Sequence, residues 1–259
     1  MKIAVCLSGQ PRSIEYAINS ILNFFNVDYA EVDFFCHVWD YNTWKLKNNK
    51  EILFGEYEPV DRCWLEEQVQ RLNPKKFKIS PYSTIYPDHK YLPWGSLFYS
   101  LLNANLLKLQ YEVENNFRYD LVVKSRYDVV FSPFLKFRTP YTIDERHLYF
   151  PHAGRMPQRY NYINASDPFF YGDSWGMDIV ADSFTLIKQN FQNPYSHRLD
   201  QVSFHDPGTF ITTVCNRFNI IVDVGTLNPG DIIYRKEASG LDCVNDFDEI
   251  LRIHSSYYE

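Results

Sequence analysis

The chain has no apolar run of transmembrane length, so no segment reads as a membrane span. It has no CxxC pair. Its five cysteines (Cys6, Cys36, Cys63, Cys215 and Cys243) are odd in number and widely spaced. They read as reduced residues in a reducing compartment rather than as a disulfide framework, with Cys6 and Cys36 inside apolar runs. There is no excess of positive charge. Lys and Arg number 26 against 32 Asp and Glu, and a net charge of -6 argues against general nucleic-acid binding. There is no GxGxxG after the first apolar run, so a dinucleotide-binding Rossmann site is not expected. No repeat, low-complexity tract or interdomain linker divides the chain. The opening apolar run of MKIAVCLSGQPR is too short for a signal peptide and ends in a turn. The expected location is cytoplasmic, and any work at a membrane is expected from that side.

What is present is an ordinary globular composition. Of 259 residues, 45% are apolar and 22% charged, enough to bury a substantial core in one large domain. Aromatic residues make up 17%. Composition favours a core and surface rich in rings over a stacking site.

Residues 3–7 read as a buried strand, SGQP as a turn, and Ser13 as the cap of a helix over 14–25. Residues 32–38 (VDFFCHV) form a second strand. The β-α-β order makes a parallel pair the default. Asp61 is expected to cap a helix to about 72, and 77–79 forms a short strand. The spacing over 96–116 predicts a long helix. Strands follow at 148–150 and 169–171, one helix at 174–191, another at 209–218, and strands at 220–224 and 232–234. This alternation indicates an α/β fold: a mixed, mostly parallel central sheet flanked by helices in one domain. Residues 1–131 read as a nucleotide-binding-type half, and 132–259 as a half that completes the cleft.

Charge inside an apolar stretch marks the first candidate site. In YDLVVKSRYDVVF (119–131), Lys124, Arg126 and Asp128 interrupt two apolar runs. Burying unpaired charge is costly, so such residues are expected to be paired or to sit at a strand end. Residues two apart share one face of a regular strand, which would aim all three into one pocket. A carboxylate suits a divalent cation, and cations suit phosphate.

Two further strand ends fall at the same edge, where open α/β sheets bind ligands. After the first strand, Gly9 permits close backbone approach and Arg12 offers a forked cation. After the second, CHVWD brings His37, Trp39 and Asp40, with Trp39 suited to stacking on a base and Asp40 to a ribose hydroxyl or base N–H. In NASDPFFYGDSWGM, Asp167 precedes a strand and can meet a substrate hydroxyl or act as a base, while Asp173 reads as a helix cap. His205, Asp206 and His254 are weaker candidates, most simply surface polar residues.

Four segments together resemble a family of GT-A-type glycosyltransferases found in bacteria, phages and large DNA viruses. They are MKIAVCLSGQPR, VDFFCHVWD, YDLVVKSRYDVVF and SDPFFYGDSWGM, in the family's order and spanning about two thirds of the chain. The resemblance implies a GT-A-like fold and a nucleoside diphosphate sugar donor held at Ser8, Gly9, Arg12, His37, Trp39 and Asp40. It implies a glycan or glycoconjugate acceptor on the side of 167–172. It also implies a DxD-type position that holds Mn2+ or Mg2+. Here that position reads Arg126-Tyr127-Asp128, so the first acidic residue is an arginine. Asp128 is the remaining metal candidate, with Lys124 and Arg126 as diphosphate cations. Asp167 is the candidate base, with Asp173 and Asp206 in reserve. Two other functions fit the same residues: a nucleotidyltransferase acting on sugar phosphates, and a sugar-binding protein that has kept the fold and lost the chemistry.

Overall fold

The computed structural model describes residues 1–42, 58–81, 84, 95–131, 135–139, 143–150, 167–192, 207–224 and 232–234. In chain order its elements are β1 (Lys2–Gly9), α1 (Ile14–Phe25), β2 (Glu31–Trp39), β3 (Tyr41–Asn42), β4 (Glu58–Pro59), α2 (Arg62–Gln70), β5 (Lys76–Ser80), α3 (Gly95–Asn115) and β6 (Leu121–Ser125). They continue with β7 (Val129–Phe131), β8 (His147–Phe150), β9 (Phe170–Gly172), α4 (Ser174–Ala181), α5 (Ser183–Gln192), α6 (Pro207–Arg217), β10 (Ile221–Val224) and β11 (Ile232–Tyr234).

Seven strands form one sheet in the order β10-β8-β9-β6-β1-β2-β5. It is mostly parallel: β1 pairs with β2 and β6, β2 with β5, and β8 with β10, all parallel. Among the described residues, only β9 runs the other way in this sheet, antiparallel to both β6 and β8. This is the expected α/β architecture, a Rossmann-like mixed sheet between helices. The single sheet draws strands from both halves of the chain.

Both faces of the sheet are covered, which is why β1 and β6 read as continuous apolar runs instead of alternating. Ile3, Val5, Leu7, Leu121 and Val123 pack with Ile14, Ile18 and Ile21 of α1 and with Leu65 and Val69 of α2. Ala4, Cys6 and Val122 pack on the opposite face with Phe98 and Leu101 of α3, Met177 of α4 and Ile211 of α6. Cys6, Cys36 and Cys215 are buried free thiols, and burial pushes each up to about 12. The aromatic wealth is largely structural: Phe24 of α1 stacks on Phe131 of β7 at 4.0 Å, with Phe137 and Phe169 edge-on. No helix among the described residues is long and apolar enough to cross a membrane.

Several local expectations differ from the structure. Ser13 occupies the N-cap of α1, but its hydroxyl makes no capping bond. Asp61 and Asp173 do cap: Asp61 Oδ1 accepts from Trp64 N at 2.7 Å, and Asp173 accepts from the N–H groups of Trp175 and Gly176. The helix expected over 174–191 is two helices, α4 and α5. The chain turns at Asp182, whose side-chain type competes with helical backbone bonding. Gly172 is required at the β8–β9 contact, because a Cβ there would collide with the backbone oxygen of His147.

A buried ionic network ties α4 to α3. Lys108 Nζ donates to Ser174 Oγ at 2.9 Å and to Asp178 Oδ1 at 2.8 Å, and Glu112 lies at 3.4 Å. Glu112 Oε1 also accepts from Tyr119 N at 2.9 Å, which fixes the entrance of β6.

Candidate functional site

The parallel register brings three strand ends to one edge. Gly9 pairs with Val38, and Leu7 with Ser125, so β1, β2 and β6 all end together. The antiparallel strand β9 supplies the fourth component. Lys124 pairs with Phe170, so residues just before β9 lie beside residues just after β6. That placement brings Asp167 to Arg126, 41 positions away in sequence.

The turn after β1 is not an ordinary tight turn. Gly9 has φ +131°, and Arg12 has φ +34°, a conformation that L residues adopt at a cost of about 1–2 kcal/mol. The strain is held by contacts. Arg12 N donates to Asn42 Oδ1 of β3 at 2.9 Å, and Arg12 Nε donates to Gln10 Oε1 at 3.1 Å. Its Nη1 then reaches across to Asp128 Oδ2 at 2.8 Å, 116 positions away. Non-glycine residues in such conformations cluster at functional sites.

The Lys124–Asp128 segment does not remain a regular strand. β6 stops at Ser125, residues 127–128 turn, and β7 leaves the main sheet to pair with β11. The buried ring of Tyr127 anchors this turn, with its hydroxyl donating to Leu7 O at 3.4 Å. The charges converge because of the turn, rather than through strand alternation. Arg126 Nε donates to Asp128 Oδ1 at 2.8 Å and Nη2 to Asp128 Oδ2 at 2.5 Å, a fork on both oxygens. Its Nη1 also donates to Asp167 Oδ2 at 3.4 Å. Burial opposes the Arg126 charge, but the carboxylates of Asp128 and Asp167 outweigh it and hold the guanidinium more firmly protonated than usual.

Lys124 is fully buried on the α3 face of the sheet. Its Nζ donates to the backbone oxygen of Asp167 and lies 5.6 Å from the Phe170 ring centroid. Burial lowers its pKa to about 7; the nearby carboxylate of Asp167 opposes the shift, Arg126 adds to it, and Asp128 opposes it.

Other expected site residues fall differently. Ser8 is buried in the β1–β2 pairing beside His37. Asp40 stitches the sheet edge to its margin: its N–H donates to Ser80 O at 3.1 Å and its carbonyl accepts from Val60 N at 2.8 Å. His37 and Trp39 point towards α3, not out of the sheet edge. His37 is fully buried, with Nδ1 at 2.7 Å from Ser100 Oγ and Nε2 at 2.9 Å from Ser80 Oγ. Trp39 is about 1% exposed, donates Nε1–H to Ser96 O at 3.3 Å, and packs on Tyr99 at 5.4 Å and Tyr41 at 5.6 Å. Its indole is part of an aromatic wall, with no open face for a base. Asp173 is committed to capping α4. His205, Asp206 and His254 lie outside the described residues.

His37 carries a prediction. Burial, helped by the charge of Lys78, lowers its pKa from 6.5 to about 3. The folded form therefore refuses a proton that the unfolded chain takes up below pH 6.5. Stability is full above pH 6.5 and is lost as pH falls towards 3. Between pH 7.5 and 5 this amounts to about 2 kcal/mol. Urea unfolding at the two pH values should show that extra loss in the native protein and not in His37→Gln. Equal losses in both would remove His37 as the cause.

The Asp128 carboxylate does not fit the expected metal role. Both oxygens accept from guanidinium groups, and a divalent ion there would sit against two cations. Among the described residues, no group of three or more His, Cys, Asp or Glu is placed to hold a metal ion. Sequence reasoning missed Gln10 and Asn42, which fix Arg12, and Tyr127, which fixes the turn. Only the proximity of Asn42 to the CHVWD strand end hinted at the first of these contacts.

No family model matches the chain. No curated protein is found similar to it. Among solved structures, one similar chain is a nucleoside-diphosphate-sugar pyrophosphorylase from Vibrio cholerae RC9, with 9% identity, a TM-score of 0.43, and coverage of 96% of this chain and 99% of that one. A likeness of that size carries no argument about activity.

Proposed function

We propose that this protein is a GT-A-like glycosyltransferase that moves a sugar from a nucleoside diphosphate sugar to an acceptor hydroxyl, on a glycan or glycoconjugate. One observation carries the reading. Arg12, the Arg126–Asp128 pair and Asp167, which come from three separate stretches of the sequence, converge at the carboxyl edge of β1, β2 and β6. That edge is where α/β sheets bind ligands. Forked guanidinium groups suit a diphosphate, and a carboxylate beside them suits a hydroxyl proton.

In the proposed reaction the acceptor oxygen attacks the anomeric carbon of the sugar. The bond from that carbon to the diphosphate oxygen breaks, and its electron pair leaves with the diphosphate. Arg12 and Arg126 stabilise the charge that grows there. In an inverting reaction the acceptor proton passes to the Asp167 carboxylate. Ser8, Gly9 and Asp40 frame the donor at the ends of β1 and β2. His37 and Trp39 support that frame from beneath, and Lys124 holds the Asp167 backbone. The buried free thiols suit a reducing, cytoplasmic setting.

A screen of nucleoside diphosphate sugars, read by nucleotide release with and without an added sugar acceptor, tests the reading. Release of a nucleoside diphosphate that rises with acceptor is expected. Release of pyrophosphate from a nucleoside triphosphate plus a sugar phosphate would point to a nucleotidyltransferase instead. Sugar binding with no release from any donor would leave a binding protein.

A further inference from the structure

Asp128 is the residue at which a metal is expected, and its surroundings point elsewhere. Three N–H groups from two arginines cover its two oxygens: Arg126 Nε on Oδ1 at 2.8 Å, Arg126 Nη2 on Oδ2 at 2.5 Å, and Arg12 Nη1 on Oδ2 at 2.8 Å. The carboxylate is nearly buried, while each arginine side chain keeps 14% of its surface exposed at the edge. Of these three groups, the cations are the ones that solvent, or a ligand, can reach.

The charge balance of the site points the same way. A pair of carboxylates loaded with one divalent ion sums to zero. Arg12 and Arg126 with the carboxylates of Asp128 and Asp167 reach the same zero without any ion. A divalent ion added to the Asp128 oxygens would have to displace hydrogen bonds and then face two cations at close range. Geometry agrees with charge. A guanidinium presents its N–H donors in a rigid planar fork that matches a carboxylate or a phosphate. The strained φ of Arg12, held by Asn42 and Gln10, fixes the direction of one fork, and the Asp128 clamp fixes the other.

We infer that Arg12 and Arg126, oriented by Asp128, take the place of a divalent cation, and that this site binds a diphosphate without metal. The inference rests on the nucleotide-sugar reading for the identity of the diphosphate, but not for the anion chemistry. Asp128 is then a positioning residue that touches the cations and not the ligand.

Titration calorimetry of the full chain with UDP, GDP, dTDP and inorganic pyrophosphate, first in EDTA and then in excess MgCl2, separates the possibilities. At least one nucleoside diphosphate should bind in EDTA, with its affinity changed less than about threefold by Mg2+. Arg12→Gln and Arg126→Gln should each weaken it at least tenfold (removal of a charge-assisted fork). Arg126→Asp, which places a second carboxylate at the site, should bind only when Mg2+ or Mn2+ is present. Native protein that binds nucleoside diphosphates solely with metal overturns the inference and leaves the proposed function standing. Native protein that binds pyrophosphate in EDTA with no gain from any nucleoside supports the arginine pair and overturns the nucleotide reading. No binding under either condition overturns both. The native measurements decide the matter even where a variant fails to fold.

Discussion

Asp128→Asn is expected to lower donor turnover by about 100-fold or more, with the fold kept and no rescue by Mn2+. The substitution is nearly isosteric, so Tyr127 and the β6–β7 turn have no steric reason to move. Its chemistry is the problem. An aspartate offers two accepting oxygens, whereas an asparagine offers one and points an NH2 group from the other position. In this site both positions face guanidinium N–H groups. One of the two arginines must therefore swing away, and it is an arginine that has to meet the diphosphate. With its oxygen at the Oδ2 position the asparagine keeps the bonds from Arg12 Nη1 and Arg126 Nη2 and sets its NH2 group against Arg126 Nε, so Arg126 loses its fork. Asp128→Glu keeps the charge and both acceptors on a longer arm, so it should recover part of the rate. A merely structural role would show equal losses in both variants, tracking their melting temperatures. Steady-state kcat and KM for the donor, beside thermal unfolding, separate these cases. Turnover of Asp128→Asn near the native value would remove Asp128 from the site.

Much of the frame behind this prediction was legible in the sequence. The buried strands announced themselves as unbroken apolar runs because both faces of the sheet are covered, and the β1-α1-β2 order carried its parallel pairing with it. The caps Asp61 and Asp173 were readable from local chemistry alone. What was not legible depends on distant partners. Nothing in FFYG states that β9 slots antiparallel between β6 and β8, yet that insertion is what delivers Asp167 to Arg126. The spacing of Lys124, Arg126 and Asp128 suggested a strand face, but the buried Tyr127 ring bends the chain and a turn gathers the charges. His37 and Trp39 had the right position at a strand end and the opposite orientation. The two-residue period that points them at α3 was present in the sequence; the location of α3 was not. The arginine in place of a first acidic residue was visible from the start. Its meaning, a fork on Asp128 shared with Arg12, needed the fold.

Lys124→Met should make the protein more stable and less active, with the gain in stability larger at pH 6 than at pH 9. The lysine is fully buried, and burial, only partly offset by Asp167 and Asp128, lowers its pKa from 10.5 to about 7. The unfolded chain is therefore protonated at pH values where the folded chain is not. Stability from this group is full above pH 10.5 and is lost as pH falls towards 7, below which the loss levels off. Three and a half pKa units correspond to about 5 kcal/mol at the acidic end, and the share lost between pH 9 and 6 is about 2–3 kcal/mol. Leu121, Val122 and Val123 beside it each contribute about 1.5–3 kcal/mol on burial, which is how one strand tolerates the charge. Methionine fills similar space with nothing to ionise, so the pH-dependent loss should vanish from its unfolding curves. The same substitution removes the donor to the Asp167 backbone oxygen. That contact holds the start of β9 against the end of β6, where Asp167 meets Arg126. Release of it should lower kcat by about tenfold or more with little change in donor affinity, since a small misplacement of a catalytic group is costly. A buried cation that destabilises the fold while positioning Asp167 is the pattern of a site that trades stability for activity. A Lys124→Met protein that keeps full kcat would show that the Asp167 backbone is held by other means. A native protein whose stability is flat between pH 6 and 9 would show that Lys124 does not titrate there.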